Sequence, residues 1–240
     1  MLTPVHCIAL RTVRLSDSRN LLSAWSREAG RVTFAIPAGA TREARRRKAV
    51  TSPLAFFEGI ADIRDYRDIQ TVRDIMPMPG SIAMNPSPVT GMSALFIAEV
   101  LDLLMRKSAP DDEISDFLFD SIEAFAQMKG RDAANFHIVF LYALAHYSGI
   151  APDTGEYVPG SVFDMREGRF RRTAPLHDDR IEGDEARMMM LMARTPLSRP
   201  GHLPFTRQSR NRALDHILRY YALHLAPLAS LKSLDILRMM

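Results

Sequence analysis

The chain has 240 residues, of which 47% are hydrophobic and 25% charged, a balance typical of a folded protein with one or two domains. Its single cysteine, Cys7, excludes an internal disulfide framework, and without a CxxC pair or a histidine cluster the sequence gives no indication of a structural zinc site. The net charge of +3 is unevenly distributed, because residues 11–48 hold ten Lys or Arg against three acids, whereas residues 81–240 hold eighteen against twenty. The excess positive charge therefore lies near the N-terminus.

The first 80 residues predict short strands. Apolar and polar side chains alternate in the first three of them, and a period of two is typical of half-buried strands. The five predicted strands are 6–13, 20–26, 31–37, 53–63 and 66–72. Five short strands in this length predict a closed barrel of the OB type, which leaves one face free for an oligonucleotide.

The proline-rich stretch Met76-Pro77-Met78-Pro79-Gly80, followed by Pro86 and Pro88, predicts a linker, because it can continue neither a ladder nor a helix. After it, apolar residues recur at helical spacing. The predicted helices are 90–107, one capped by Asp111, a central one over 132–147, then 183–194, 207–225 and 228–238. Residues 161–164 and 169–171 flank a Glu167-Gly168 turn and predict a hairpin.

These elements predict an α+β protein with two domains. Residues 1–80 form the five-stranded OB-type β-barrel. Residues 81–240 form a mainly α-helical domain with a small β-hairpin insertion near 157–172.

The motifs of common enzyme classes are absent from the sequence. It contains no P-loop, dinucleotide fingerprint, HExxH or GxSxG, so we expect no catalytic residue and no cofactor. His137 and His146 lie on the predicted central helix and are expected to be core histidines. His177, Asp178 and Asp179 form one metal-like cluster, but in a polar loop such a trio is more often solvated, so we expect no metal.

A cationic segment between the third and fourth strands indicates nucleic-acid binding. Several guanidinium groups packed closely in sequence favour an anionic partner, because Arg binds phosphate oxygens bidentately and phosphate contacts release counterions. The segment supplies Arg42, Arg45, Arg46, Arg47 and Lys48. A charge run alone is often only a solvated surface, but Arg11, Arg14, Arg19 and Arg31 on the same predicted barrel favour DNA contact. Trp25 and Phe34 are able to stack on bases, although their alternating patterns favour the core.

A second basic surface is predicted on the helical part, around Arg207, Arg210 and Arg212. It is either an extension of a DNA track or an ordinary solvated helix face, and the sequence gives the two alternatives equal weight. The methionines of 188–192 are expected in the core, with a partner-binding surface as the alternative.

Several separated stretches, in order, resemble the RecO family of bacterial recombination mediators over nearly the whole length. Residues 9–11, 17–18 and 26–31 are similar to its opening strand, polar turn and "TxExGR" turn. Residues 38–48, followed by Pro53-Leu54, are similar to its "KGxRxxxS" basic loop and "LxPxxxL" strand. The helix 135–149, the hairpin 163–168 and the closing stretches 219–225 and 232–234 also match.

The resemblance implies a protein without enzymatic activity that binds single- and double-stranded DNA and anneals complementary strands. It implies work with RecR to help RecA replace single-strand DNA-binding protein, whose acidic C-terminal tail docks on the helical domain. The DNA contacts would fall on Arg42, Arg45, Arg46, Arg47 and Lys48, with Arg11, Arg14 and Arg31 as weaker candidates. The rival hypothesis is a protein adaptor that works mainly through its helical domain and contacts DNA only weakly.

The sequence departs from the family pattern in two places. Many members carry four cysteines between the central helix and the hairpin, where residues 149–157 of this chain have none. Zinc is therefore not expected, and polar contacts must hold the hairpin. Ala38 stands where the family often has Lys, which weakens one phosphate contact without removing the charge of the basic loop. Because the N-terminal residues resemble no secretory signal and no stretch is long enough to span a bilayer, we expect a cytoplasmic protein, nucleoid-associated when acting, with no membrane partner.

Overall fold

A computed structural model of the chain describes residues 2–39, 48–79, 87–106, 108–225, 228 and 231–239. By its internal contacts the chain forms two compact units, Met1–Gln127 and Met128–Met240. The predicted residues Arg42, Arg45, Arg46 and Arg47 lie outside the described residues.

The first unit contains a closed five-stranded barrel. Its strands are β1 (Leu2–Arg14), β2 (Arg19–Ser26), β3 (Gly30–Pro37), β4 (Phe56–Asp62) and β5 (Gln70–Pro77), in the order β1-β2-β3-β5-β4. The long β1 pairs antiparallel with β4 through its first half and with β2 through its second, and a short parallel pairing of β3 with β5 closes the barrel. This order is that of an OB fold, so the predicted fold class is confirmed.

Inward-facing side chains of the strands fill the interior of the barrel. Alternate residues of β3 and of the first half of β1 point inward and are buried, as in Val5, Cys7 and Ala9 of β1. Phe34 packs edge-on against Phe57, with the ring centroids 6.4 Å apart, and Trp25 is also fully buried. Trp25 and Phe34 are therefore structural, as the sequence favours, and offer no ring to a base.

The fifth strand lies later in the chain than predicted. Residues 63–69 form a turn instead of a strand, because the buried amide of Gln70 is hydrogen-bonded across it: its Oε1 accepts from the Arg64 N–H at 3.0 Å, and its Nε2 donates to the carbonyl oxygens of Arg64 and Arg67. The strand then continues through Met76 to Pro77, so the predicted linker begins later. Pro77 has no N–H to donate and is tolerated at the end of the ladder.

Two long helices of the first unit, α1 (Pro88–Leu104) and α2 (Asp112–Gln127), follow the barrel strands in the chain. The Asp111 carboxylate caps α2 as predicted and accepts from the Ile114 N–H at 2.9 Å. Both helices belong with the barrel by their contacts, whereas the sequence predicts a boundary after residue 80, where strands give way to helices. The boundary after residue 80 remains a prediction, namely that residues 1–80 fold without the two helices.

The second unit is built around α3 (Gly130–Tyr147), which is buried on most sides, as predicted for the central helix. It packs against α4 (Gly183–Arg194), a 3₁₀ turn (Pro200–His202) and α5 (Arg207–His224). The short α6 (Leu234–Arg238) is joined to α5 through hydrogen bonds from Arg207 and Asn211 to the Arg238 carbonyl. His137 is buried, but His146 is exposed, so its predicted core position is wrong: nine residues of helix turn the two side chains to opposite sides. Among the described residues, no helix is long and apolar enough to cross a bilayer.

A three-stranded sheet in the second unit has the order β7-β6-β8, from β6 (Val162–Asp164), β7 (Arg169–Arg171) and β8 (Arg180–Ile181). The predicted hairpin of β6 and β7 is confirmed. The third strand has only two residues, too few for a period to be visible in the sequence.

Candidate nucleic-acid interface

A cleft of about 530 Å³ in the first unit collects three of the predicted DNA-binding side chains. We call it the basic cleft. Its lining residues are Leu10, Arg11, Thr12, Arg14, Asn20, Ile36, Pro37, Ala38, Gly39, Lys48, Thr51, Ser52, Pro53 and Leu95. Gly39 and Lys48 flank residues 40–47, so both ends of the segment that contains the predicted arginines lie at this cleft.

A β-bulge presents Arg11 to solvent. The pairing of β1 with β2 shifts register between Ala9 and Arg11, so Leu10 is buried while Arg11 is exposed. Bulges of this kind re-aim a side chain. In the part of the chain that the structure describes, neither the Arg11 guanidinium nor the Lys48 ammonium has an ion-pair partner, and both side chains are exposed.

Arg14 also remains available at the cleft. Its Nη2 donates to the Asp17 carboxylate at 2.5 Å, but its side chain is 70% exposed. Exposed ion pairs contribute at most about 1 kcal/mol, so a phosphate can replace Asp17.

Arg31, unlike Arg11 and Arg14, is not exposed to solvent. The prediction of Arg31 as a DNA-binding residue is therefore wrong. Its side chain is only 10% exposed and its guanidinium donates twice to one Asp102 carboxylate oxygen, at 2.6 and 3.1 Å. Further N–H groups donate to the Val32 carbonyl and to the Thr33 and Ser23 hydroxyls at 2.9 Å. With these contacts made, Arg31 is a structural residue.

The second predicted basic surface is not one continuous cationic face. Arg210 is buried, its Nη1 donates to Asn135 Oδ1 at 3.3 Å, and burial lowers its pKa from the ordinary value. Arg207 and Arg212 are exposed, but Arg207 donates to the Arg238 carbonyl and Arg212 pairs with Glu185 at 2.9 Å. The placement of Arg210 corrects the sequence prediction, and the other two guanidiniums are engaged in local contacts.

Arg210 also affects the protonation of the buried His137 on α3. Burial first, and then the positive charge of Arg210, lower the pKa of His137 to about 3. His137 is therefore neutral at physiological pH.

A second cleft in the first unit, of about 760 Å³, is lined by residues of β1, β2, β3 and α1 and by the turn between β4 and β5. We call it the polar cleft. Its lining residues are Arg11, Val13, Leu21, Ser23, Ala29, Arg31, Val32, Thr33, Ile63, Arg64, Asp65, Arg67, Asp68, Gln70, Asp102 and Arg106. Arg11 lines both clefts, so they adjoin at this side chain.

The chain is similar to a family model over its C-terminal part and to several known proteins over nearly its whole length. The family model described as "Recombination protein O C terminal" matches residues 87–235. A "DNA repair protein RecO" of Porphyromonas gingivalis is 31% identical over 246 aligned residues, covering 99% of this chain and 98% of the relative. Proteins of the same description from Phocaeicola vulgatus and Bacteroides fragilis are each 29% identical with the same coverage. The chain belongs to the RecO family.

In this RecO-family chain the cysteine-free hairpin is held by carboxylates and guanidiniums. Buried Asp164 accepts from the Arg166 and Glu167 N–H groups at 3.0 and 3.1 Å, and its carboxylate lies 3.3 Å from Arg171 and 3.4 Å from His177. Asp179 binds Arg166 at 2.6 Å and Arg219 at 2.5 Å, and these two guanidiniums lower its pKa. The prediction of a solvated His177, Asp178 and Asp179 trio is therefore wrong, because only Asp178 is fully exposed.

Sequence reasoning missed the polar cleft of this RecO-family barrel. Its wall includes the 63–69 turn, part of which the alternation of residues 66–72 predicts as a strand. The signal that could have revealed the turn is the polar run Arg64-Asp65-Tyr66-Arg67-Asp68, because such a run is typical of a loop. Asp102 and Arg106 reach the cleft from α1, and no local pattern in the sequence relates them to the barrel.

Proposed function

We propose that this protein is a DNA repair and recombination mediator that binds single- and double-stranded DNA and anneals complementary strands. The observation that carries the proposal is the basic cleft, where Arg11, Arg14 and Lys48 line one opening on an OB barrel. The segment that supplies Arg42, Arg45, Arg46 and Arg47 begins and ends at this opening. Family membership supports the same conclusion, since its relatives are described as DNA repair proteins.

The mechanism follows from the charge of the cleft. Each phosphate that an Arg or Lys neutralises releases condensed counterions, and this release favours binding without regard to base sequence. Two strands held by such contacts repel each other less, so complementary bases can meet and pair. The mechanism needs no nucleotide hydrolysis and no metal.

The partners of the mediator are part of the proposal. We infer that it acts with RecR, binds the C-terminal tail of single-strand DNA-binding protein, and so helps RecA load onto DNA coated by that protein. Membership of the RecO family supports these partners.

An annealing assay across a salt series tests the proposed function. We expect the wild-type protein to accelerate annealing of two complementary oligonucleotides, with an effect that fades steeply as salt rises. Changing Arg45, Arg46 and Arg47 together to Ala removes three cations, so the slope of log K against log salt for single-stranded DNA should fall by about 2, at about 0.7 per phosphate contact.

The matched control removes the same charge elsewhere. Arg131, Arg172 and Arg187 are exposed in the second unit, and changing all three to Ala should leave the slope close to that of the wild type. Equal slopes for the two triple variants would contradict a role of the basic segment, and a wild-type protein that binds no DNA at low salt would contradict the proposed function itself.

A second candidate function, a protein adaptor, is favoured by a groove in the second unit. It has a volume of about 340 Å³ and is lined largely by apolar side chains from α3 and α4, among them Val139, Tyr142 and Met192. Such a groove is suited to an apolar peptide. Under this hypothesis the wild-type protein would bind partner proteins but would not accelerate annealing.

A further inference from the structure

One cation of the basic cleft differs from the others in its reactivity. The 31 basic residues of the chain include four lysines, which are Lys48, Lys107, Lys129 and Lys232. Lys48 is the last residue of the cationic segment, whose other basic residues are arginines, and it is the only lysine among the described residues that line the basic cleft. A guanidinium stays protonated, whereas a lysine amine can lose its proton and be acylated. Lys48 is therefore the residue of this cleft at which an acyl group can be attached.

The surroundings of Lys48 attract small anions. The Lys48 side chain is exposed, and Arg11 and Arg14 line the same cleft. The described residues that line this cleft include no carboxylate. A cleft lined by charges of one sign raises the local concentration of small ions of the opposite sign. Anionic reagents are therefore more concentrated around the Lys48 amine than around a lysine on an ordinary surface.

We propose that Lys48 is a modification site, acylated on Nζ by a small acyl phosphate that the cations of the basic cleft attract. The unprotonated Nζ attacks the acyl carbon, and the new N–C bond forms as the C–O bond to the phosphate breaks. Phosphate leaves with the electron pair of that bond, and the nitrogen releases a proton to water. The step needs no oxidant or reductant. Acylation itself does not depend on DNA binding, whereas its effect on DNA binding rests on the proposed function.

Acylation of Lys48 changes the charge of the cleft. It replaces an ammonium group by a neutral amide and so removes one cation from the DNA-binding surface. At about 0.7 per phosphate contact, the slope of log K against log salt for single-stranded DNA should fall by about 0.7. DNA that lies in the cleft covers Lys48 and neutralises its neighbours, so it should slow the acylation. The modification therefore weakens DNA binding by free protein and spares protein that is already bound.

The test incubates the full-length protein with acetyl phosphate at low salt and measures acetylation of each lysine by peptide mass spectrometry. Lys129 is the internal reference, because it is exposed and does not line the basic cleft. We expect acetyl phosphate to modify Lys48 about tenfold faster than Lys129. Acetic anhydride is the matched control reagent, since it transfers the same acetyl group but carries no charge. It should modify the two lysines at similar rates.

Variants test whether the cleft cations attract the reagent. Changing Arg11 and Arg14 together to Ala should lower the rate at Lys48 with acetyl phosphate and leave the rate with acetic anhydride unchanged. The control changes Arg172 and Arg187, exposed arginines of the second unit, to Ala and should keep the preference for Lys48. A preference of the same size with both reagents, or equal rates at Lys48 and Lys129 with acetyl phosphate, would contradict attraction of the anion by the cleft.

DNA binding after the treatment separates this inference from the proposed function. Acetyl phosphate should lower the salt slope of the wild-type protein by about 0.7. The Lys48→Arg protein has no amine at this position, so its slope should stay where it was before treatment. An unchanged wild-type slope with Lys48 fully acetylated would contradict the effect on DNA binding. A protein that is acetylated at Lys48 as expected but binds no DNA would contradict the proposed function and support the modification site.

Discussion

Arg11 and Arg31 are both arginines of the barrel that line the polar cleft, yet their guanidiniums have different roles. Arg11 is exposed and has no ion-pair partner among the described residues. Arg31 pairs with Asp102, and the two side chains are 10% and 8% exposed. Removing one partner of a buried ion pair leaves the other charge desolvated and uncompensated, which is strongly destabilising.

We therefore expect Asp102→Ala to lower the free energy of unfolding by about 3 kcal/mol, because Arg31 then stays buried without its carboxylate. Arg11→Ala should change the free energy of unfolding by no more than about 0.5 kcal/mol, while it lowers the affinity for DNA and the salt dependence of binding. Urea denaturation and fluorescence anisotropy with labelled DNA measure the two effects.

The double variant Arg31→Met with Asp102→Leu serves as the control, since it removes both charges and should recover most of the lost stability. An Asp102→Ala protein that is as stable as wild type and binds DNA more tightly would instead place Arg31 in the DNA site, because its guanidinium would then be open to a phosphate. The sequence could not separate the two arginines, because Asp102 lies 71 residues from Arg31 and only the fold brings them together.

At the scale of elements, the β6–β8 sheet depends on ionised carboxylates. Glu167 accepts from Arg169 at 2.9 and 2.7 Å and also pairs with Arg171, and these contacts lower its pKa from 4.5 to about 2. Because the pKa is lower in the folded protein than in the unfolded chain, ionised Glu167 stabilises the fold. That contribution is complete above about pH 4.5 and is lost as the pH falls to about 2.

We expect Glu167→Gln to lower the Tm by a few degrees at pH 7 and to make the fall in Tm below pH 4.5 shallower than in wild type. A thermal unfolding series by circular dichroism measures both quantities. Glu156→Gln is the matched control, because Glu156 is exposed and has no ion pair among the described residues. An identical pH profile for Glu167→Gln and wild type would show that this pair does not stabilise the sheet.

Element types are largely predictable from the sequence, and element ends much less so. Strands β1 to β3 follow from period-two alternation, and the Asp111 cap marks the start of α2. The turn before β5 is predicted as strand because the bonds that fix it come from the Gln70 side chain, which leaves no periodic signal. Of the predicted helix 228–238, the residues that the structure describes are helical only over Leu234–Arg238.

At the scale of the molecule, the contacts of the barrel bear on where the first unit ends. The sequence places the boundary after residue 80, yet the barrel contacts both of the helices that follow. The Trp25 indole N–H donates to the Ser115 hydroxyl at 3.0 Å, and the rings of Phe56 and Phe119 lie 4.9 Å apart. Gly30, at φ +66°, packs so closely on residues 108–110 that a Cβ there would lie 2.5 Å from the Ala109 carbonyl carbon.

These contacts predict that a fragment of residues 1–127 folds, whereas a fragment of residues 1–80 does not form the native barrel. Trp25 is the only tryptophan and is fully buried, so its fluorescence reports on the fold. Fragment 1–127 should show the same blue-shifted emission as the full chain. In fragment 1–80 the emission should shift to the red, because Trp25 loses Ser115 and the apolar surface of the two helices.

Ser115→Ala in fragment 1–127 is the control, since it removes only the hydrogen bond and keeps the apolar cover over Trp25. Its emission should stay blue-shifted, which assigns the shift in fragment 1–80 to lost packing. Native-like emission and cooperative unfolding of fragment 1–80 would instead show that the barrel folds without α1 and α2. The boundary after residue 80 would then be correct, and the contacts of the helices would serve to position their side chains, Asp102 and Arg106, at the polar cleft.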